Sequence, residues 1–357
     1  MAGARLMGNR LGAGVMASIG DVAKRAGVSL GTASRAINGN PAVSPQLRER
    51  VLAAAAELEY RPNALARALR SSRTHSLGLI VPDVTNPFFG ELAKHVEQVA
   101  AGMGYTVMLA NSNDDPKAEA EYIKVLVGRQ VDGLLIVPSE QTRQLPREAK
   151  VPLVVVDRPM RGYPLVASDH RSGAIAAVQH LVSLGHRRIG CIAGPRHLSV
   201  ARERYEGYRS VAAPIYRENR FDLGSDTIIA RFDYDCGYDA AVRLLARPDR
   251  PSAIFASSDQ QAIGALRAAA DLDIKVPDDV SIIGFDAISL AKIVTPRLTT
   301  VAQPIAAIAD IAVRAVLRLR QEDSKVERHR LPTLLQLGNS TGPAVNNVVA
   351  LKSGKEG

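Results

Sequence analysis

Ile19-Gly-Asp-Val-Ala-Lys-Arg-Ala-Gly-Val-Ser-Leu-Gly-Thr-Ala-Ser-Arg-Ala-Ile-Asn38 carries the punctuation of two short helices joined by a tight turn. Ser18, with Asp21 three residues later, reads as a capping box for the first helix. Gly27 must end that helix, because glycine enters the left-handed conformation at little cost. Ser29 caps a second helix, from about Leu30 to Ile37. Ala23 and Ala33 are small enough to let the two helices cross closely. This is the spacing of a helix-turn-helix, whose second helix would face a DNA major groove. A helical hairpin inside an ordinary core would share the pattern, so the rest of the chain must decide.

Charge supports the first reading. The 357 residues carry a net charge of +9, and residues 1–75 hold 11 Lys or Arg against 4 Asp or Glu. A basic head on a nearly neutral body is the footprint of a polyanion-binding module. Cys191 and Cys236 are the two cysteines, 45 positions apart, with no Cys-x-x-Cys pair. That excludes the usual zinc spacing and a disulfide framework, and suits small core thiols in a reducing cytoplasm. No apolar run approaches the ~18 residues of a membrane span. Residues 1–17 are expected to form a disordered extension, with Met16 a natural start. Their apolar part is too short and glycine-rich for a signal peptide. Gly12-Ala13-Gly14 mimics a dinucleotide fingerprint, but no strand precedes it.

Beyond the second helix, Ser44-Pro45 opens a third, with Ser44 expected as its cap and Pro45 at the first position, where its missing N–H costs nothing. Its stripe of Leu47, Val51, Ala54, Ala55 and Leu58 should close a small core over Val22, Ala26 and Ile37. Tyr60-Arg61-Pro62-Asn63 then leads into a short helix, Ala64 to about Ser71. That helix is too short to be stable alone in water, so it should fold only when docked. Leu65 and Leu69 share one face, while Arg67 and Arg70 can reach phosphates. An apolar side chain on such a helix is what a minor-groove wedge requires; a plain linker helix is the alternative.

Taken together, Asp21-Val22-Ala23, Ala26-Gly27-Val28-Ser29, Ser34-Arg35, Asn38-Gly39, Val43-Ser44, Arg48, Val51, Tyr60-Arg61-Pro62-Asn63 and Ala66-Arg67-Leu69 resemble the head and hinge of the lactose/galactose repressor family of bacterial transcription regulators. The resemblance implies that Leu30, Gly31, Arg35 and Asn38 contact bases, and that Leu69 prises open the central base step beside Leu65, Arg67 and Arg70. An apolar Leu30 would suit a thymine methyl, and Arg35 a guanine. Gly31 departs from the larger side chain of many relatives and should surrender one base contact.

From residue 76 onward, short apolar runs alternate with helical stripes. Leu77–Val81, Thr106–Ala110, Val131–Val137 and Val151–Val156 read as strands, followed by Arg188–Ala193, Thr227–Ala230, Ser252–Ala256 and Val280–Phe285. Helices are expected near Pro87–Ala101, Lys117–Arg129, Gln144–Ala149, Ala174–Leu184, Ala201–Ala213, Cys236–Leu245 and Ala262–Ala270. Buried strands with crossover helices mean parallel sheets, and two such sets suggest two doubly wound lobes. The segment Leu298–Leu337 should supply return crossings. The expected plan is therefore an all-α head (18–62), a hinge (63–75), a two-lobed α/β body (76–341) and a flexible tail (342–357).

Open parallel sheets bind ligands beyond the carboxyl ends of their strands. Polar residues just after the runs are Asp83, Asn86, Asn111, Asn113, Asp157, Asp169, Ser258, Asp259 and Asp286, with Phe88 and Phe89 close by. Carboxylates and amides accept from hydroxyls, and an aromatic ring covers an apolar ring face, which suits a small polyhydroxylated ligand. An Asp or Ser after a strand equally often caps the next helix. The body also resembles the family's effector domain, similar to sugar-type periplasmic binding proteins. Val81-Pro82-Asp83 with Asn86-Pro87-Phe88-Phe89, Leu184-Gly185-His186, Arg204 with Gly207-Tyr208, and Val280 to Asp286 carry that likeness. It implies effector contacts from Phe88, Phe89, Asp157, Arg204, Ser258 and Asp286, with Arg204 an unpaired cation in the cleft until ligand arrives, or else held in a salt bridge to an Asp or Glu at the lobe interface. Ser258 stands where relatives often carry Asn, and Gly338 where an Arg is common.

The partners implied are a near-palindromic operator, a sugar or sugar phosphate, and a second copy, since the tail has no leucine heptad for tetramers. A nucleobase remains an alternative effector. An exported sugar-binding protein would lack the basic head. An enzyme would need a nucleophile with its base, a Walker loop or a histidine cluster, and the seven histidines form none; no cofactor or metal is expected.

Overall fold

The computed structural model describes residues 17–60, 73–139, 142, 151–319 and 327–344. The hinge residues Leu65, Arg67, Leu69 and Arg70, and the helix expected near 144–149, lie outside the described residues. The chain divides into two compact units at the Thr74–His75 junction.

In the first unit, three helices follow from their caps: α1 (Ile19–Ala26), α2 (Leu30–Ile37) and α3 (Pro45–Glu57). Ser18 N–H donates to Asp21 Oδ2 at 2.8 Å, and Asp21 N–H donates back to Ser18 Oγ at 3.3 Å. Gly27 has φ +62°, and Arg50 donates to the Ala26 carbonyl at 2.7 Å, closing the turn. Ser29 Oγ accepts from Thr32 N–H. Ser44 corrects the expectation, since its side chain makes no cap bond; Pro45, with φ already helical, starts α3. Val22, Ala23, Ala26, Ala33, Ala36, Val43, Val51 and Ala54 form the buried core, with Leu47, Ile37, Ala55 and Leu58 packed around it.

In the second unit, two six-stranded sheets share one strand order. The first lobe holds β1 (Ser76–Val81), β2 (Thr106–Asn111), β3 (Gly133–Ile136), β4 (Leu153–Val156) and β5 (Leu165–Ser168). The second lobe holds β6 (Ile189–Ala193), β7 (Thr227–Ile229), β8 (Ala253–Ala256), β9 (Ser281–Asp286) and β10 (Thr299–Ala302). β11 (Arg328–Leu331) joins β5 in parallel, and β12 (Leu334–Gln336) joins β10 antiparallel. The orders are β2-β1-β3-β4-β5-β11 and β7-β6-β8-β9-β10-β12. β5 is absent from the expected strands, because four residues after Pro164 are too few for periodicity to register.

Helices cover both sheets: α4 (Pro87–Gly102), α5 (Pro116–Gly128), α6 (His170–Ser183), α7 (Ser199–Asn219), α8 (Tyr234–Leu245), α9 (Asp259–Asp271) and α10 (Ile305–Leu319). Strand alternation sorts the core. Leu77, Leu79 and Val81 join the cluster of α4 and α10, whereas Ile80 packs with Ile123 and Leu126 of α5. Each such burial is worth about 1.5–3 kcal/mol. α7 outruns its expected end at Ala213 and passes through Pro214. Tyr208 and Tyr216, on either side of the proline, both donate to the Ile189 carbonyl at 2.7 Å and pin the two halves to β6.

Three crossings join the lobes: β5 to α6, β10 to α10, and β11 to β12. Ser168 and Gln303 meet where the first two run side by side, with Ser168 Oγ donating to Gln303 Oε1 at 2.8 Å. Gly342 N–H and Ala344 N–H donate to Ser281 Oγ and the Leu184 carbonyl, so the chain stays anchored to the second lobe through Ala344. His186 is structural, bonded to Ser252 and Ser281.

Candidate functional site

On the helical unit, Leu30, Gly31 and Arg35 span about 140° of α2 at 3.6 residues per turn, opposite the buried Ala33 and Ala36. All three are exposed, as is Asn38, which ends the helix. Arg35 Nε lies 3.2 Å from the Gly31 carbonyl, leaving its terminal nitrogens to solvent. A Cβ at Gly31 would meet nothing within 4 Å, so its lack of a side chain is no demand of packing.

In the two-lobed unit, a cavity of about 420 Å³ opens between the carboxyl ends of the two sheets. The first lobe supplies Pro82, Asp83, Asn86, Phe88, Phe89, Asp114, Asp157 and Arg158. The second supplies Pro195, His197, Leu198, Val200, Arg204, Arg231, Phe232, Asp233 and Asp286. Phe88, Phe89, Asp157, Arg204 and Asp286 thus converge as the expected set requires. Ser258 does not join them. It is buried at the start of α9, where its Oγ accepts from Gln261 N–H, so here the capping role wins. Asp169 likewise caps α6. Asn111 Oδ1 accepts from Val84 N–H, and its amide donates to Asn113, stapling together the two loops that carry the lining residues Asp83 and Asp114.

Arg204 is not the unpaired cation expected. Its Nη2 lies 3.0 Å from Asp286 Oδ1, and its Nη1 donates to the Ser257 carbonyl at 2.6 Å. The guanidinium stands 4.0 Å over the ring of Phe285, a cation–π contact in a dry setting. Its Nε donates to His170 Nδ1 at 3.4 Å, and His170 Nε2 faces Asp157 Oδ1 at 3.2 Å. Since Nδ1 accepts, the ring proton sits on Nε2 and is donated to Asp157. Arg204 is 96% covered, and burying an arginine at that depth without a counter-charge would be prohibitive; Asp286 supplies it.

The carboxylates diverge electrostatically. Burial pushes Asp286 above its ordinary range, partly offset by Arg204. For Asp157, burial acts in the same direction, but the His170 hydrogen bond and the charges of Arg204 and Arg158 outweigh it, so it ends below the usual range. Asp259 is driven well up by burial and by Asp286, against the Thr300 and Ile288 hydrogen bonds. Asp114, Asp157 and Asp286 all take positive φ, of 55°, 65° and 118°. Such backbone is costly for non-glycine residues and collects at binding sites.

Sequence reasoning missed Asp114, Arg158, His197, Arg231, Phe232 and Asp233. Phe232 and Asp233 follow the strand expected at Thr227–Ala230, so the same rule that points to Asp286 would have reached them. Arg158 was adjacent to a chosen residue, and pairs with Asp114. Gly338 has a structural reason: a Cβ there would sit 2.2 Å from the Arg297 carbonyl.

Among the described residues no helix is long and apolar enough to cross a membrane, and no group of His, Cys, Asp and Glu could hold a metal ion. Residues 18–63 match the family described as bacterial regulatory proteins, lacI family, and residues 178–341 match a periplasmic binding protein-like domain. The ribose operon repressor of Halalkalibacterium halodurans is 36% identical over 334 residues, covering 93% of this chain and 99% of that protein. The solved lac repressor dimer, bound to operator and the anti-inducer ONPF, superposes with a TM-score of 0.79. It is 26% identical and covers 91% of this chain and 99% of its own. A regulator from Enterococcus faecium with bound ribose superposes with a TM-score of 0.65, at 28% identity, covering 75% and 99% of the two chains.

Proposed function

The chain belongs to the lacI family of bacterial regulatory proteins, and on that premise we propose that it represses sugar-use genes as a cytoplasmic homodimer whose grip on DNA is set by a carbohydrate held between the lobes. It is a DNA-binding transcriptional regulator. On this reading it catalyses no reaction and needs no cofactor. Leu30, Gly31, Arg35 and Asn38 meet base edges in the major groove of each half-site. Leu65 and Leu69 wedge the minor groove between half-sites, with Arg67 and Arg70 on the phosphates.

The observation that carries the effector reading is the mix of acceptors and aromatic rings lining the cavity. Asp157 and Asp286 are hydrogen-bond acceptors oriented by His170 and Arg204, and Phe88 and Phe232 line the same cavity. Ring hydroxyls have donors to give such carboxylates, and the apolar face of a sugar covers an aromatic ring. Ribose is the first candidate, as the name of the similar repressor and the ribose-bound neighbour suggest. Because residues of both lobes line the cavity, a ligand that prefers one lobe arrangement shifts the population of states that reach DNA.

The test is retardation of a fragment from the protein's own promoter region, with and without each sugar of a panel headed by ribose. A ligand at a hundred times its Kd should add about 2.7 kcal/mol of stability, visible as a thermal shift. A purine base belongs in the panel, because the cavity's phenylalanines could stack one. No retardation at low salt under any condition would end the reading.

A further inference from the structure

We infer that the interlobe cavity admits an uncharged polyhydroxylated ligand and turns away its phosphate esters; this rests on the carbohydrate reading above. A phosphate needs a cation with valence to spare, and among the described lining residues each guanidinium is already matched. Arg204 is held by Asp286 at 3.0 Å, Arg231 by Asp233 at 3.1 Å, and Arg158 by Asp114. Arg158 also donates to the Pro138 carbonyl at 3.2 Å, and its Nε is buried from solvent.

Two further carboxylates tip the balance. Among the described residues Asp83 accepts from Thr85, at 2.9 and 2.7 Å, and Asp157 from His170. The lining therefore holds five carboxylates against three guanidinium groups, and protonating His197 would still leave an excess. The asymmetry is chemical as well as electrostatic: ionised carboxylates accept but cannot donate, so they reward hydroxyls and repel phosphate oxygens.

Helix N-termini are the usual counter-argument, since they favour anions. At the mouth of the cavity, α4 and α8 are already capped. Asn86 Oδ1 accepts from Phe88 N–H, and Asp233 Oδ1 from Cys236 N–H. α7 begins at Leu198 without a side-chain cap. Its macrodipole amounts to about half a charge, less than the two unmatched carboxylates.

The experiment is calorimetric titration of the full-length protein with matched pairs: ribose and ribose 5-phosphate, glucose and glucose 6-phosphate, plus inorganic phosphate and a neutral purine base. The ester of whichever sugar binds should be weaker by about a hundredfold or more. Asp114→Asn should narrow that gap to roughly a tenth, since it releases Arg158 while asparagine tolerates the left-handed backbone there. An ester that binds as well as its sugar overturns the inference and leaves the carbohydrate reading standing. Binding of a neutral purine base but no sugar, free or esterified, ends the carbohydrate reading and upholds the uncharged cavity. Binding of inorganic phosphate alone overturns both.

Discussion

Gln303 Nε2 donates to Asp286 Oδ1 at 2.8 Å while its Oε1 accepts from Ser168, so one buried amide ties the lobe crossing to the carboxylate that holds Arg204. The amide is used at both ends, and both its partners are buried. A lobe rotation that separates Ser168 from Asp286 would break one of these bonds. That gives the effector cavity a mechanical connection to the segment that would move.

Gln303→Leu keeps the volume and removes both bonds. It should destabilise the protein by about 1–3 kcal/mol per orphaned group and weaken the effect of sugar on DNA retention. Urea unfolding and retardation titrations would read the two effects. Unchanged sugar response, with lowered stability, would leave Gln303 a structural residue only.

Arg204→Ala leaves Asp286 buried with no counter-charge. The expected loss is about 3–5 kcal/mol, the usual cost of breaking a buried pair by removing one partner. Sugar binding should disappear, while non-specific DNA binding persists, because the helical unit has its own core. Arg204→Lys should recover part of the stability but little of the affinity, since lysine cannot present a planar fork. Full sugar affinity in either variant would count against Arg204 as an effector ligand.

Asp259 predicts a pH dependence. Its folded-state value is raised, so the native chain binds its proton more tightly than the unfolded chain does. Stability should then fall as pH climbs from about 3.9, the unfolded value, up to the folded one. Asp157 acts in the opposite sense; its contribution is present above the unfolded value and lost as pH drops through its lowered folded one. Asp259→Asn mimics the protonated acid, with one atom for Thr300 and the other for Ile288. It should flatten the decline on the alkaline side of the window. Denaturant midpoints across acid and neutral pH would decide, and an unchanged slope would refute the assignment.

Gly31→Ala adds a methyl in open space on the first turn of α2. Helix stability should rise by about 0.5–1 kcal/mol, visible as a raised melting temperature of the helical unit. On the proposal that this face reads bases, operator preference should change as well. Selection of binding sites by both proteins would show it, and identical preferences would argue that position 31 stays clear of the groove.

The helical unit was legible because its signals are local. Ser18 and Asp21, or Ser29 and Thr32, find each other within one turn, and no distant residue has a vote. The body was legible as architecture for a related reason: strands buried on both faces must be apolar throughout. The third helix start was less so, since a serine before proline is a cap by position but need not use its hydroxyl.

Composition and order along the chain were therefore enough to settle a basic helix-turn-helix ahead of two parallel-sheet lobes, and to send the ligand search to the strand ends. Only the tertiary structure decided what those end residues do. Ser258 caps a helix, Arg204 finds Asp286, Gln303 reaches both lobes, and Asp114, Arg158 and Phe232 turn toward the cavity. The physical reason is range. Caps and strand alternation are set by neighbours a few residues away, whereas the partner of a buried charge is whichever residue the packing of elements distant in the chain brings within about 3 Å.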